Sequence, residues 1–320
     1  MKFLKTAIKK LLGIPIVRWA VMWSKNHSLP GFRGIPIYYV VRSFIFGLTS
    51  ENPIDRSAAM TFKFFMAIFP GILFLCTLIP VMPINGFQER LLLNYEDLMP
   101  PQVSSLLRQT VEQVVNQANT GLMSVSFLVA FFFSTNGIVG MIRAMNSSAN
   151  IDEPGSRIRI KALGILLFIF TITVVSIVIL IFCRKIILNI IDSYGLETNP
   201  QVLIYVLRLV ILYAIILLII SLIYYLAPAR KFRLGFISPG AFFACNLSII
   251  SSVGVAAFFS NFDRYNTLYG TLGSIPIFLI WIFANCLVLL AGFELNASIA
   301  AGRLERLVRE ERLQEPTVEG

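Results

Sequence analysis

The chain has 320 residues, of which 57% are hydrophobic and only 14% charged, and its formal net charge is +10. A soluble globular domain carries about 25% charged residues, so the composition excludes an ordinary soluble domain and indicates an integral membrane protein. Segments near 62–82, 122–142, 162–183, 202–227, 238–260 and 273–297 each approach or exceed the ~20 apolar residues that cross a bilayer. They predict an all-α integral membrane protein with six transmembrane helices.

In chain order, residues 1–24 interleave Lys2, Lys5, Lys9 and Lys10 with Phe3, Leu4, Ala7, Ile8, Leu11 and Leu12. This is the helical period of an amphipathic helix lying on a membrane surface. A signal peptide is the rival reading, but Pro15 and Arg18 interrupt the apolar run and no A-x-A site closes it. The stretch Ile35 to Leu48 contains Arg42 and is too short to span, which predicts a second interfacial or re-entrant helix. Residues 1–50 are therefore read as cytoplasmic or interfacial amphipathic helices, 51–300 as the six-helix transmembrane domain, and 301–320 as a charged cytoplasmic tail.

The first span has a readable start, with Asn52 as cap, Pro53 in the first turn and Asp55 near the positive end of the helix dipole. Pro70-Gly71 falls near its middle, where a kink and a broken helix lining a cavity are the two readings. Between spans one and two lies an external amphipathic segment, 83–121, with a helical pattern after Pro100-Pro101. The loop before span six holds Tyr265, Tyr269 and Gly270. Its tyrosines suit an interfacial belt, and its glycines suit a tight external hairpin that could meet an anionic headgroup.

Charge orients the bundle. Twenty basic residues lie between Lys2 and Arg56, Arg143 and Lys161, Arg230 and Arg233, and Arg303 and Arg312, all on one side of the predicted topology. The positive-inside rule then places both termini in the cytoplasm. The same excess explains the net charge without nucleic acid as a partner, and anionic headgroups on the cytoplasmic face are the expected partners instead. Cys76, Cys183, Cys245 and Cys286 lie singly in or at the ends of apolar runs, so neither disulfides nor a metal site is expected. His27 is the only histidine, and no Ser-His pair or paired aspartates stand in the spans. The expectation is a protein that is not an enzyme, with no cofactor and no catalytic residues.

Polar groups at membrane depth need a partner or a role. Asn136, Asn246 and Asn285, with the helix interruption at Pro70 and Gly71, are the candidate lining of a substrate path. Interhelical glue is the competing reading for each. Glu294, in the last turn of span six, lies close in depth to Arg56 and Lys63, which predicts an ion pair that acts as a structural pin or as a gate. Lys63 has the further option of snorkelling to the interface.

The segment Arg56-Ser57-Ala58-Ala59-Met60-Thr61-Phe62, followed by Phe69-Pro70, resembles the R-A-A-A-x-T-[FY] and F-P pattern of the YihY/BrkB family of bacterial inner-membrane proteins. Similar matches are Tyr225-Leu226-Ala227-Pro228, Ser238-Pro239-Gly240-Ala241, and Tyr265 through Trp281 to Gly292-Phe293-Glu294-Leu295-Asn296-Ala297. Gly292-Phe293-Glu294 departs from the usual G-A-E, and Asp152-Glu153-Pro154 stands where an R-P pair is frequent. The resemblance implies a multi-pass protein of the bacterial cytoplasmic membrane. The family has been associated with resistance to serum killing and with envelope lipid export, and has carried a ribonuclease BN label. The zinc-dependent phosphodiesterase chemistry linked to that label needs a histidine-rich cluster, which one histidine cannot supply. The expected function is therefore a transporter or lipid-translocating protein, with a non-transporting scaffold or assembly factor as the alternative.

Overall fold

A computed structural model describes residues 15–32, 34–50, 52–78, 120–148, 151–194, 200–229, 234–260 and 274–314. Every regular element among them is an α-helix: α1 (Pro15–Asn26), α2 (Ile37–Ser50), α3 (Pro53–Leu78), α4 (Thr120–Ser148), α5 (Gly155–Tyr194), α6 (Pro200–Leu226), α7 (Pro239–Ser260) and α8 (Ser274–Gln314).

The helix starts follow local chemistry. Asn52 adopts a positive φ of 44°, a conformation that asparagine tolerates better than most residues, and its carbonyl accepts the Arg56 N–H at 3.3 Å. This turns the chain from α2 into α3. At α7, Ser238 is the cap and Pro239 takes the first helical position. The Ser238 hydroxyl accepts the Ala241 N–H at 3.2 Å.

α3 packs along α4 and α7 along α8, while α8 also lies against α3 and α2. The core at these crossings contains Met60, Met141, Ile142, Met145, Leu290 and Phe293, all nearly inaccessible. A second cluster, Phe32, Ile35, Val40 and Ile299, seats the α2 region on α8. The outer surface is apolar as well: Phe132, Ile160, Phe168, Tyr205, Ile250 and Val253 are exposed. In water such a surface would drive aggregation, whereas hydrocarbon tolerates it.

Five described helices are long and apolar enough to cross a membrane, over Ser124–Ser147, Gly155–Leu180, Val202–Leu226, Pro239–Phe258 and Ile275–Gly302. The helix α3 covers the first expected span, 62–82, up to Leu78 but is not one of these five, and 79–82 lie outside the described residues. So do 1–14 of the predicted amphipathic helix, most of the segment 83–121, and 315–320 of the tail.

One of the two readings of Pro70-Gly71 falls. α3 is one continuous helix through Pro70, so Pro70-Gly71 does not break it. Proline removes a single backbone bond, and the intact turns on either side carry the helix past it. α8 runs past the last expected span to Gln314, so the charged tail continues as a helical extension over its described residues. The Arg-, Glu- and Leu-rich sequence after Gly302 has high helix propensity and contains no proline before Pro316.

Candidate functional site

Glu294 is buried on α8 with Arg56 of α3 beside it. One Arg56 Nη2 N–H donates to Glu294 Oε1 at 3.5 Å, and the two side chains are only 13% and 6% exposed. Arg56 Nη1 also donates to the Ala144 carbonyl of α4 at 3.0 Å. On the other side, a Cβ at Gly47 of α2 would come within 2.7 Å of Glu294 Oε2. The Arg56–Glu294 pair thus joins α3, α4 and α8, and glycine at 47 lets α2 approach the carboxylate.

Lys63 does not share this pair. A Cβ at Gly140 would lie 2.5 Å from Lys63 Cδ and 3.0 Å from its Nζ, so the lysine side chain crosses α4 over that glycine. At Gly137 the nearest atoms belong to the Phe64 ring and the Lys63 carbonyl. Asn136, half-buried on the same helix, makes no hydrogen bond among the described residues.

A third arrangement brings the two ends of the C-terminal half together. Asn296 Oδ1 accepts the Gly240 N–H at 2.8 Å, and its Nδ2 donates to Ser238 Oγ at 2.8 Å. The Asn296 amide thereby supplies a partner for an otherwise unpaired N–H in the first turn of α7. Gly240 and Gly292 meet at this crossing, and a Cβ at Gly240 would fall on the Gly292 carbonyl oxygen. Tyr224 of α6 donates its hydroxyl to the Leu289 carbonyl at 2.6 Å, which ties α6 to the same place.

Sequence reasoning missed a fourth cluster. Asn146, at the end of α4, donates to Glu153 Oε2 at 2.9 Å and accepts the Ala229 N–H at 2.9 Å. Glu153 in turn pairs with Lys161 of α5 at 2.7 Å. The ends of α4 and α6 and the start of α5 are joined in this way, next to a cleft of about 400 Å³ lined by Arg143, Asn146, Ser147, Asp152 and Glu153. The only signal in the sequence is Asn146 in the last turn of an apolar helix with an acid seven residues on, a pattern too common to single out.

The remaining candidates are dispersed. Asn246 Nδ2 donates to Tyr213 Oη at 3.1 Å and to the Phe242 carbonyl at 2.7 Å, bridging α6 and α7. Asn285 donates back to the Trp281 carbonyl at 2.9 Å within α8. A Cβ at Gly71 would meet no neighbouring atom within 4 Å. Asn136, Asn246 and Asn285 therefore stand on three helices and share no hydrogen bond, while Tyr265, Tyr269 and Gly270 lie outside the described residues. Cys245 and Cys286 are buried free thiols.

The segments that meet in this bundle, the Arg56 turn, Ser238-Pro239-Gly240 and Gly292 to Asn296, lie within residues 47–316, the stretch matched by the pattern of the virulence factor BrkB family. The chain belongs to the BrkB family. A similar protein is the putative ribonuclease-like protein YfkH of Bacillus subtilis (strain 168), 28% identical over 246 residues, covering 76% of this chain and 88% of that one. A UPF0761 membrane protein of Pseudoalteromonas translucida (strain TAC 125) is 34% identical over 84 residues, 26% of this chain and 28% of that protein. Another, from Aeromonas salmonicida (strain A449), is 36% identical over 90 residues, covering 28% and 30%. No solved structure matches. BrkB membership makes this a member of a membrane protein family, and the buried Arg56–Glu294 pair and the Gly240–Gly292 crossing lie inside the matched stretch.

Proposed function

We propose that this BrkB-family protein is a transporter of the bacterial inner membrane that moves a lipid, with both termini in the cytoplasm, no cofactor and no enzymatic step. The observation that carries the reading is Asn136. It is a half-buried amide on a membrane-spanning helix, without a hydrogen-bond partner among the described residues. An amide at membrane depth needs a partner, and a polar headgroup passing along α4 would supply one. An ion-coupled pump fits less well, because the spans contain few charged residues.

The test is lipid movement in proteoliposomes containing a fluorescent phosphatidylglycerol that is bleached from outside by dithionite. The intact protein is expected to expose inner-leaflet lipid to bleaching, and Asn136→Leu to slow that exposure with unchanged protein incorporation. Bleaching identical to that of protein-free vesicles would overturn transport of this lipid and favour the scaffold reading.

A further inference from the structure

Two cations, Lys63 of α3 and Arg143 of α4, lie along one stripe of α4 and take part in neither of the ion pairs at Glu294 and Glu153. Asn136, Gly140, Arg143 and Ser147 fall within about 60° of one another around that helix, given 3.6 residues per turn. Lys63 lies on the stripe from outside: its carbonyl is beside Gly137, while its Cδ and Nζ reach the position of Gly140. The side chain therefore extends ~4.5 Å along α4 towards Arg143, which stands about 4.5 Å further on. Arg143 and Ser147 in turn line the cleft of about 400 Å³ at the end of the helix.

Arg143 is exposed and Lys63 half-buried. Glu294 is engaged by Arg56 and Glu153 by Lys161. Neither Lys63 nor Arg143 has an ion-pair partner among the described residues. A cation beside apolar surface and without an acid calls for an anionic partner or for water. The surface beside Lys63 is apolar, with Phe62 64% and Met66 37% exposed on α3. A ligand reaching Lys63 there would present an anion to the lysine and hydrocarbon to its neighbours.

We propose that Lys63 and Arg143 form a binding site for the phosphate of an acidic phospholipid, entered through the cleft at Ser147, with the acyl chain lying along Phe62 and Met66. The proposal rests on the lipid reading above for its ligand class and not for any movement of that ligand. Arg143 offers a planar fork of donors suited to phosphate at the cleft, and Lys63 a compact charge further in.

The experiment is native mass spectrometry of the full-length protein, delipidated and then titrated separately with dioleoyl phosphatidylglycerol, dioleoyl phosphatidylcholine and inorganic phosphate. The intact chain is expected to retain phosphatidylglycerol over phosphatidylcholine. Lys63→Met is expected to reduce that preference about tenfold, an effect on the scale of one charge-assisted contact. Because it removes a charge that no acid balances, this variant is expected to fold. Lys63→Arg should keep the preference, and Gly140→Ala, which pushes the lysine stem aside but leaves its charge, should weaken it. An unchanged preference in Lys63→Met, or in Gly140→Ala should Lys63→Met not fold, would overturn the site. Inorganic phosphate displacing the lipid at equal concentration would overturn the lipid as its source. A preference that survives in the intact chain with no lipid movement in vesicles would leave this site standing and remove the transport reading alone.

Discussion

Arg56 and Glu294, 238 residues apart in sequence, meet at 3.5 Å in a buried crossing of α3 and α8, and the same arginine holds the Ala144 carbonyl of α4. Removing one partner of such a buried pair costs roughly 3–5 kcal/mol. Glu294→Gln is therefore expected to lower the yield of folded, monodisperse protein more than it lowers lipid binding per folded molecule. Size-exclusion chromatography beside a binding measurement separates the two quantities. Normal yield with lost binding would make Glu294 a gate and not a pin.

Gly240 and Gly292 predict a steric result. A methyl group at 240 would fall on the Gly292 carbonyl oxygen, and one at 292 would sit 2.5 Å from the Tyr224 hydroxyl and 2.7 Å from the Gly240 carbonyl oxygen. Backbone cannot yield as a flexible side chain can, so Gly240→Ala is expected to cost ~1–3 kcal/mol or more. Gly71→Ala, where no atom lies within 4 Å, is the matched control. The midpoint of thermal aggregation in detergent should fall for the first and hold for the second.

Glu153 receives Lys161 on one oxygen and Asn146 on the other. Glu153→Gln removes the charge and leaves the shape, so a loss of ~1.5–3 kcal/mol is expected, the scale of a hydrogen bond to a charged group. Limited proteolysis between residues 148 and 160 should quicken, because this contact anchors the turn from α4 into α5. Unchanged cleavage would show that the α4–α5 packing alone holds the turn.

Much of the fold is legible in the order of the amino acids. The span at 202–227 coincides with α6 over Pro200–Leu226, and the cap at Asn52 and the start at Pro239 follow from local chemistry. Other features are hidden for physical reasons. Pro70 reads equally well as a kink or a break, because whether the turns around a proline stay helical depends on packing. Depth narrows the Glu294 partner to Arg56 or Lys63 but carries no azimuth. It is Gly140 that lets the Lys63 stem cross α4, while Arg56 reaches α8.

The sequence by itself determined that the chain is helical and suited to a membrane, since apolar length and scarce charge are properties of each segment alone. It also determined the family, through short motifs that keep their order along the chain. Only the tertiary structure decided which polar groups find one another: Asn296 with Gly240 and Ser238, Asn146 with Glu153 and Ala229, and Lys63 with no acid at all among the described residues. Helices uniformly apolar around their circumference give no sign of which face turns inward. Their pairing is set by close approach at small residues such as Gly140, Gly240 and Gly292, whose partners lie on other helices.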